Sequence, residues 1–297
     1  MLFVKNLMVA FLAALSLCSL AFAQEATNEE RVWLTYKEEI ITAKTPFKAG
    51  FFSSEKEVEV YGVLWTPRLK KGEQPKKLPL FVMNHGSQGP TVKNIVNVRA
   101  DGATITLIEN GFAVFAPVRK GFRRAGDPPT DISVDSSEPI ACNSWPAQEA
   151  GLKSAKDDVK ALLAQLKGRQ DVDTNRIVLA GHSRGGFLSL ALAAEQLQGL
   201  LGVINLVGAW HSEPCPSGPS YNNGKLAQFA KEANVPIFSY YGTKDTFYPE
   251  EVARGFVQIL SQNKKAVSEM TSGYNHYSHQ RDYEPWVAVA TKLIKAE

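Results

Sequence analysis

Residues 178–193 read VLAGHSRGGFLSLALA. The run RIVLA up to Ala180 is short, continuous and apolar, as a strand covered on both faces would be. GGFLSLALAAEQL, from Gly185 on, is apolar nearly all round and predicts a buried helix. Between the two lies Gly181-His182-Ser183-Arg184-Gly185, a G-x-S-x-G pentapeptide. The glycines allow a tight backbone and close helix-to-strand packing, and a serine on such a turn has its hydroxyl held out at the strand's carboxyl edge. By itself the pentapeptide is a weak signal, since an ordinary tight turn with an incidental serine contains it too. The strand before it and the helix after it give it mechanical meaning.

Outward from this turn, LPLFVMN, FAVFAPV, LGVINLVGA and VPIFSYYG repeat the short apolar pattern of parallel strands. EVEVYGVLWT, near residue 60, alternates with period two and predicts an antiparallel entry to the sheet. The charged tract PRLKKGEQPKK that follows is read as a turn between strands. Helices separate the runs. Leu152, Val159, Leu162, Leu163 and Leu166 share one stripe that stops at Gly168, while Pro249 and Pro285 mark later helix starts. The fold class expected is α/β: a mostly parallel central sheet with antiparallel N-terminal strands and helices on both faces. Residues 24–297 are read as one domain with loop insertions near 121–147 and 210–224, which are rich in Pro, Gly, Ser and Asp and lack a period.

Residues 1–23 read as a cleavable signal peptide: Lys5, an apolar stretch from Leu7 to Leu20, then Ala21-Phe22-Ala23 before Gln24. A periplasmic or secreted protein is expected, with no stable membrane span in the mature chain. Loss of Lys5 lowers the net charge from +3 to +2, a balance that offers nothing to nucleic acid. Of three cysteines, Cys142 and Cys215 remain, one in each irregular loop. Such a pair can form a disulfide in an oxidising compartment, but the sequence does not settle whether the two meet. Neither has metal-like or redox-like spacing, and no cofactor or metal is expected.

Ser183 needs a base, and the base needs an orienting group. Five histidines are present. His182 sits inside the turn and His85 in a glycine-rich turn after a strand. His211 ends a strand at GAWHS, where it either lines the cleft or is structural. His276 and His279 lie in SGYNHYSHQ, between the last strand and the last helix. Both remain candidates on position alone. The backbone N–H of Arg184, the residue after the serine, is the expected donor to an oxyanion.

With these elements the chain resembles serine hydrolases of the α/β-hydrolase fold, closest in motif to the dienelactone hydrolase-like and prolyl oligopeptidase-like esterases and peptidases. The resemblance covers most of the mature chain, and its motifs belong to the fold and not to one substrate. It implies His276 as base, because Gly273-Tyr274-Asn275-His276 matches the family's G-x-x-H turn; His279 is the alternative. It implies Asp245, in Gly242-Thr243-Lys244-Asp245, as the orienting acid. The chain order Ser183, Asp245, His276 is then the one expected of this fold. It also implies a second oxyanion donor in His85-Gly86-Ser87-Gln88-Gly89, assigned to the N–H of Ser87 with Gly86 second. Dienelactone hydrolases proper usually carry a cysteine where this chain has Ser183, which sets that specific reaction apart.

The expected activity is ester hydrolysis on a small-molecule ester or acyl substrate. A peptidase with the same machinery, or a non-catalytic binding protein on this fold, are the alternatives. Arg119, Lys120, Arg123 and Arg124 form either a solvated basic face or a contact for an acidic substrate group. Trp145, Trp210 and Tyr274 serve either packing or stacking. Substrate identity and oligomeric state are left open.

Overall fold

The computed structural model describes residues 36–47, 54–86, 95–96, 98–124, 126, 145–209 and 218–295, with 145–148 and 218–223 described by backbone alone. The signal-peptide reading, Ser87, Cys142, Cys215, Trp210 and His211 lie outside the described residues.

The strands are β1 (Tyr36–Phe47), β2 (Lys56–Pro67), β3 (Leu78–Asn84), β4 (Ile95–Val96), β5 (Ala113–Val118), β6 (Arg123–Arg124), β7 (Val172–His182), β8 (Leu200–Leu206), β9 (Ile237–Gly242) and β10 (Ala266–Thr271). The helices are α1 (Gly102–Glu109), α2 (Trp145–Leu166), α3 (Arg184–Ala194), α4 (Gly218–Glu232), α5 (Glu250–Leu260) and α6 (Glu284–Lys295). Eight strands form one sheet in the order β1-β2-β5-β3-β7-β8-β9-β10. β1 and β2 join antiparallel, and every pairing from β5 to β10 is parallel. The short β4 and β6 pair separately.

Alternation along the strands builds two cores. Leu80 and Val82 of β3 and Leu179 of β7 face one side, packed with α2, α3, α4 and α5 through Leu162, Phe187, Leu226 and Phe256. Phe81, Val178 and Ala180 face the other, under α1 and α6 through Leu107 and Trp286. All six residues of β5 are buried, which is why that strand reads as an unbroken apolar run. Gly168 ends the α2 stripe at φ +81°, the left-handed conformation of a helix C-cap glycine.

Two expectations change. The 210–224 insertion is shorter than its composition suggests, because α4 begins at Gly218. The loop before α2 likewise ends at Trp145. Among the described residues no helix is long and apolar enough to cross a membrane.

The chain places β5 on one side of β3 and β7 on the other. At such a reversal the connections after neighbouring strands diverge and leave a crevice at the carboxyl edge. The turns after β3 and β7 open there.

Candidate active site

Ser183 occupies the junction of β7 and α3 at φ 53° and ψ −122°, a region that a residue with a Cβ rarely adopts. Close packing forces this conformation. A Cβ at Gly185 would collide with the Asn84 carbonyl, and one at Gly181 with the backbone of Gly185. Underneath, the Asn84 amide donates to Ser189 Oγ at 2.9 Å, and Ser189 Oγ reaches the carbonyls of Gly185 and Ala180 at 2.9 and 3.0 Å. All of these groups are buried, so β3, β7 and α3 are locked together below the turn. Arg184 opens α3, where helix geometry points backbone N–H groups out of the N-terminus.

Asp245 and His276 come from the two turns that follow β9 and β10. Those turns are laced together: Thr243 N–H donates to the Thr271 carbonyl at 3.2 Å, Lys244 N–H to the Tyr274 carbonyl at 2.8 Å, and Gly273 N–H to Thr243 Oγ1 at 2.9 Å. His276 Nδ1 lies 2.7 Å from Asp245 Oδ2, and both side chains are almost wholly buried. Nδ1–H therefore donates to the carboxylate, and the imidazole lone pair sits on Nε2. The second carboxylate oxygen accepts the backbone N–H groups of Phe247 and Tyr248 at 2.8 and 2.9 Å, so the carboxylate cannot swing away.

Tyr248 joins this pair to the serine. Its ring stands edge-on to His276 at 5.1 Å, and its hydroxyl lies 3.4 Å from Ser183 Oγ. The phenol proton goes to the Ala209 carbonyl at 2.9 Å, which leaves Ser183 as donor in the longer contact. Among the described residues the hydrogen bond of Ser183 Oγ is to Tyr248 and not to His276; catalytic hydrogen bonds commonly tighten only once substrate is bound.

His182, set aside on sequence grounds, is a positioning residue. Its Nε2–H donates to the His276 carbonyl at 3.0 Å, which ties the serine turn to the histidine loop. Its ring stacks on His279 at 4.5 Å. Burial holds His182 well below its ordinary pKa and pushes His279 down to about 3, so both rings are neutral near pH 7. His279 is far from solvent and its ring nitrogens lack hydrogen-bond partners among the described residues.

The turn after β3 has an unexpected support. His85 Nδ1–H donates to the Gly86 carbonyl at 2.8 Å, and its Nε2 accepts the Arg119 N–H at 3.1 Å. The Arg119 guanidinium, 2% exposed, donates to the carbonyls of His85 and Gly86. Burial, with Arg119 alongside, holds His85 well below its ordinary pKa. Lys120 is equally buried and pairs with Asp158 at 3.0 Å. Neither a solvated basic face nor a substrate contact describes these two residues, which are structural. Arg124 is half-buried and pairs with Glu38 at 2.7 Å. Tyr274 contributes its carbonyl to the Asp245 turn and borders a small cavity.

Tyr248 and His182 are the residues of the candidate site that sequence reasoning missed. Tyr248 lies three positions after Asp245, and that spacing was the one available signal. Among the described residues no cluster of three or more His, Cys, Asp or Glu side chains is arranged to hold a metal ion.

Comparison with known proteins places the chain in a family. Residues 139–295, just over half of the chain, match the phospholipase/carboxylesterase family. NocK, a candidate esterase of Nocardia uniformis subsp. tsuyamanensis, is 26% identical over 182 residues, which cover 59% of this chain and 42% of that protein. The chain thus spans less than half the length of that relative. Among solved structures, the acetyl xylan esterase 1 of Thermoanaerobacterium sp. JW/SL YS485 superposes with a TM-score of 0.55 at 14% identity, covering 89% of this chain and 92% of that one. The acylaminoacyl peptidase of Pyrococcus horikoshii gives 0.57 at 15% identity, over 86% of this chain and 41% of that one. At such identities these structures establish a shared fold. The chain belongs to the phospholipase/carboxylesterase family and has the α/β-hydrolase fold.

Proposed function

We propose that the protein is an exported esterase working through an acyl-enzyme on Ser183. In this reading Ser183 Oγ attacks the ester carbonyl while His276 Nε2 takes its proton. The protonated imidazole, held by Asp245, then gives that proton to the departing alcohol oxygen as the carbon–oxygen bond breaks. Water deprotonated by His276 releases the acid and restores Ser183. The N–H groups of Arg184 and Ser87 receive the negative oxygen of each tetrahedral intermediate. Export rests on the character of residues 1–23.

The observation that carries the reading is the buried Asp245–His276 pair at 2.7 Å, with Tyr248 touching both it and the strained Ser183. A fluorophosphonate probe followed by peptide mapping tests it. Labelling is expected at Ser183, absent in Ser183→Ala and slowed about a thousandfold or more in His276→Ala. Loss of labelling in His279→Ala with retention in His276→Ala would move the base to His279.

A further inference from the structure

Of the large apolar side chains exposed among the described residues, the aliphatic ones are scattered: Ile40 and Val267 lie on the edge strands β1 and β10, and Leu69 just past β2. The two aromatic ones, Phe247 and Tyr277, both border His276, and each is 49% exposed. Single exposed aliphatic side chains are ordinary on a protein surface, whereas apolar rings gathered at one point mark a contact surface. Among the described residues four aromatic side chains surround His276. Tyr248 and His182, at 5.1 and 4.8 Å, are buried and hold it from within; Phe247 and Tyr277, at 4.7 and 5.3 Å, flank it on the solvent side. The outer pair stands 6.2 Å apart at 90°, a corner open to solvent.

Local hydrogen bonds fix the backbone under both rings. The Asp245 carboxylate accepts the N–H groups of Phe247 and Tyr248 at 2.8 and 2.9 Å, and the two side chains part from there, Tyr248 inward and Phe247 outward. Tyr277 N–H donates to Asn275 Oδ1 at 2.9 Å, Asn275 N–H to Ser278 Oγ at 2.9 Å, and the short 3₁₀ turn Ser278–Gln280 follows. Little backbone freedom remains to be lost when a ligand meets these rings. Burial, with the Asp245 charge nearby, raises the Tyr277 pKa above its ordinary value, so the corner is uncharged at neutral pH. The proposed reaction decides which part of a substrate stands here. The acyl group is attached to Ser183 Oγ, whereas the alcohol oxygen takes its proton from His276 Nε2 and so lies about 3 Å from that nitrogen. Rings in contact with the imidazole therefore border the alcohol side of the ester.

We propose that Phe247 and Tyr277 form a subsite for a flat apolar group on the alcohol side of the ester, an aryl or arylmethyl alcohol, and that these two rings set the leaving-group preference. The inference rests on the acyl-enzyme reading, which places the alcohol oxygen at His276. An aryl group stacks on such rings or meets them edge to face, whereas a methyl alcohol offers them nothing to stack on.

Methyl acetate, benzyl acetate and methyl phenylacetate test this on the full chain. The last two are isomers with the same phenyl group on the alcohol and on the acyl side, and methanol and benzyl alcohol are leaving groups of nearly equal acidity. In the wild-type chain kcat/KM for benzyl acetate should exceed that for methyl acetate by about tenfold, and Phe247→Ala and Tyr277→Ala should each cut that ratio by about three- to tenfold. The ratio of methyl phenylacetate to methyl acetate should stay within about twofold in the same variants. Ratios taken within one variant cancel any displacement of His276. Tyr277→Phe keeps the ring and should keep the preference. A benzyl-to-methyl ratio unchanged in one alanine variant removes that ring from the subsite, and unchanged in both overturns it; a fall confined to the methyl phenylacetate ratio overturns its placement on the alcohol side. Fluorophosphonate labelling of the wild-type chain reports on Ser183 separately. Absence of labelling and of ester cleavage removes the acyl-enzyme reading itself, while labelling of Ser183 without cleavage of any of these esters overturns the subsite alone.

Discussion

Ser183 Oγ lies 3.4 Å from the hydroxyl of Tyr248, whose own proton is committed to the Ala209 carbonyl. A contact of that length is weak, and it holds the serine hydroxyl away from the imidazole at little cost. The ring has a second task, because it packs edge-on against His276 at 5.1 Å while Phe247 covers another side at 4.7 Å. Tyr248→Phe should thus change the fluorophosphonate labelling rate by less than about tenfold. Tyr248→Ala, which unseats the imidazole, should slow it by about a hundredfold or more. Equal effects from both variants would mean that the hydroxyl, and not the ring, matters.

The backbone at Ser183 makes a prediction about stability. Holding a non-glycine residue at φ 53° and ψ −122° costs on the order of 1–3 kcal/mol. Glycine adopts this region with little penalty, whereas alanine keeps the Cβ that creates it. Ser183→Gly should therefore be more stable than Ser183→Ala by about 1–2 kcal/mol in urea unfolding, although both variants are inert to the probe. If Ser183→Ala proved as stable as Ser183→Gly, the strain would be absent from the folded protein.

How much of this was legible in the sequence differs from element to element. The serine turn was readable because its signals are local: glycines at fixed offsets and a change of hydrophobic period from strand to helix. Asp245 and His276 follow their own strands in a recognisable order. The helix α4 was not readable. GPSYNNGKLAQFAKE carries two glycines and few apolar residues, and Leu226, Phe229 and Ala230 hold it as a helix by packing into the core with α3 and α5. Arg119 and Lys120 looked like surface charge because what buries them comes from elsewhere in the chain: the carbonyls of His85 and Gly86 for one, Asp158 for the other. The unpartnered ring of His279 is likewise a product of tertiary packing, and the sequence offered it only as a rival base.

The Lys120–Asp158 pair invites a test by substitution of one partner and of both. Asp158 accepts from Lys120 Nζ at 3.0 Å, from Lys120 N–H at 3.0 Å and from Thr45 Oγ1 at 2.9 Å, so it joins α2, β1 and the turn after β5. Removing the carboxylate leaves a buried ammonium without its counter-charge, and Asp158→Ala should cost about 3–5 kcal/mol. Lys120→Met combined with Asp158→Leu should recover a large part of that loss, because an apolar pair needs no desolvated charge. Thermal unfolding of the two variants checks this. A cost below about 1 kcal/mol for Asp158→Ala would place the pair among weak surface contacts.

The buried histidines set the acid limit of the fold. Burial holds the folded-state pKa of His85 and His182 well below the ordinary 6.5 and brings His279 to about 3. His182 and His279 face each other and His276, which reinforces the depression, while Asp245 opposes it at His279. Because the folded values lie below the unfolded ones, the unfolded chain takes up protons first as pH falls. The stability these neutral rings contribute is complete above about pH 6.5 and is lost as pH drops toward the folded values, down to about 3 for His279. Each ring removes up to about 1.4 kcal/mol per pH unit below 6.5. Urea midpoints measured from pH 7.5 to 5 avoid most of the range in which Glu39 and Asp171, whose values are lowered by Arg169, titrate. The midpoint should fall through this window, and His279→Phe should flatten the slope by about one proton. A midpoint that stays level between pH 7.5 and 5 would show that these imidazoles take up protons within the folded protein.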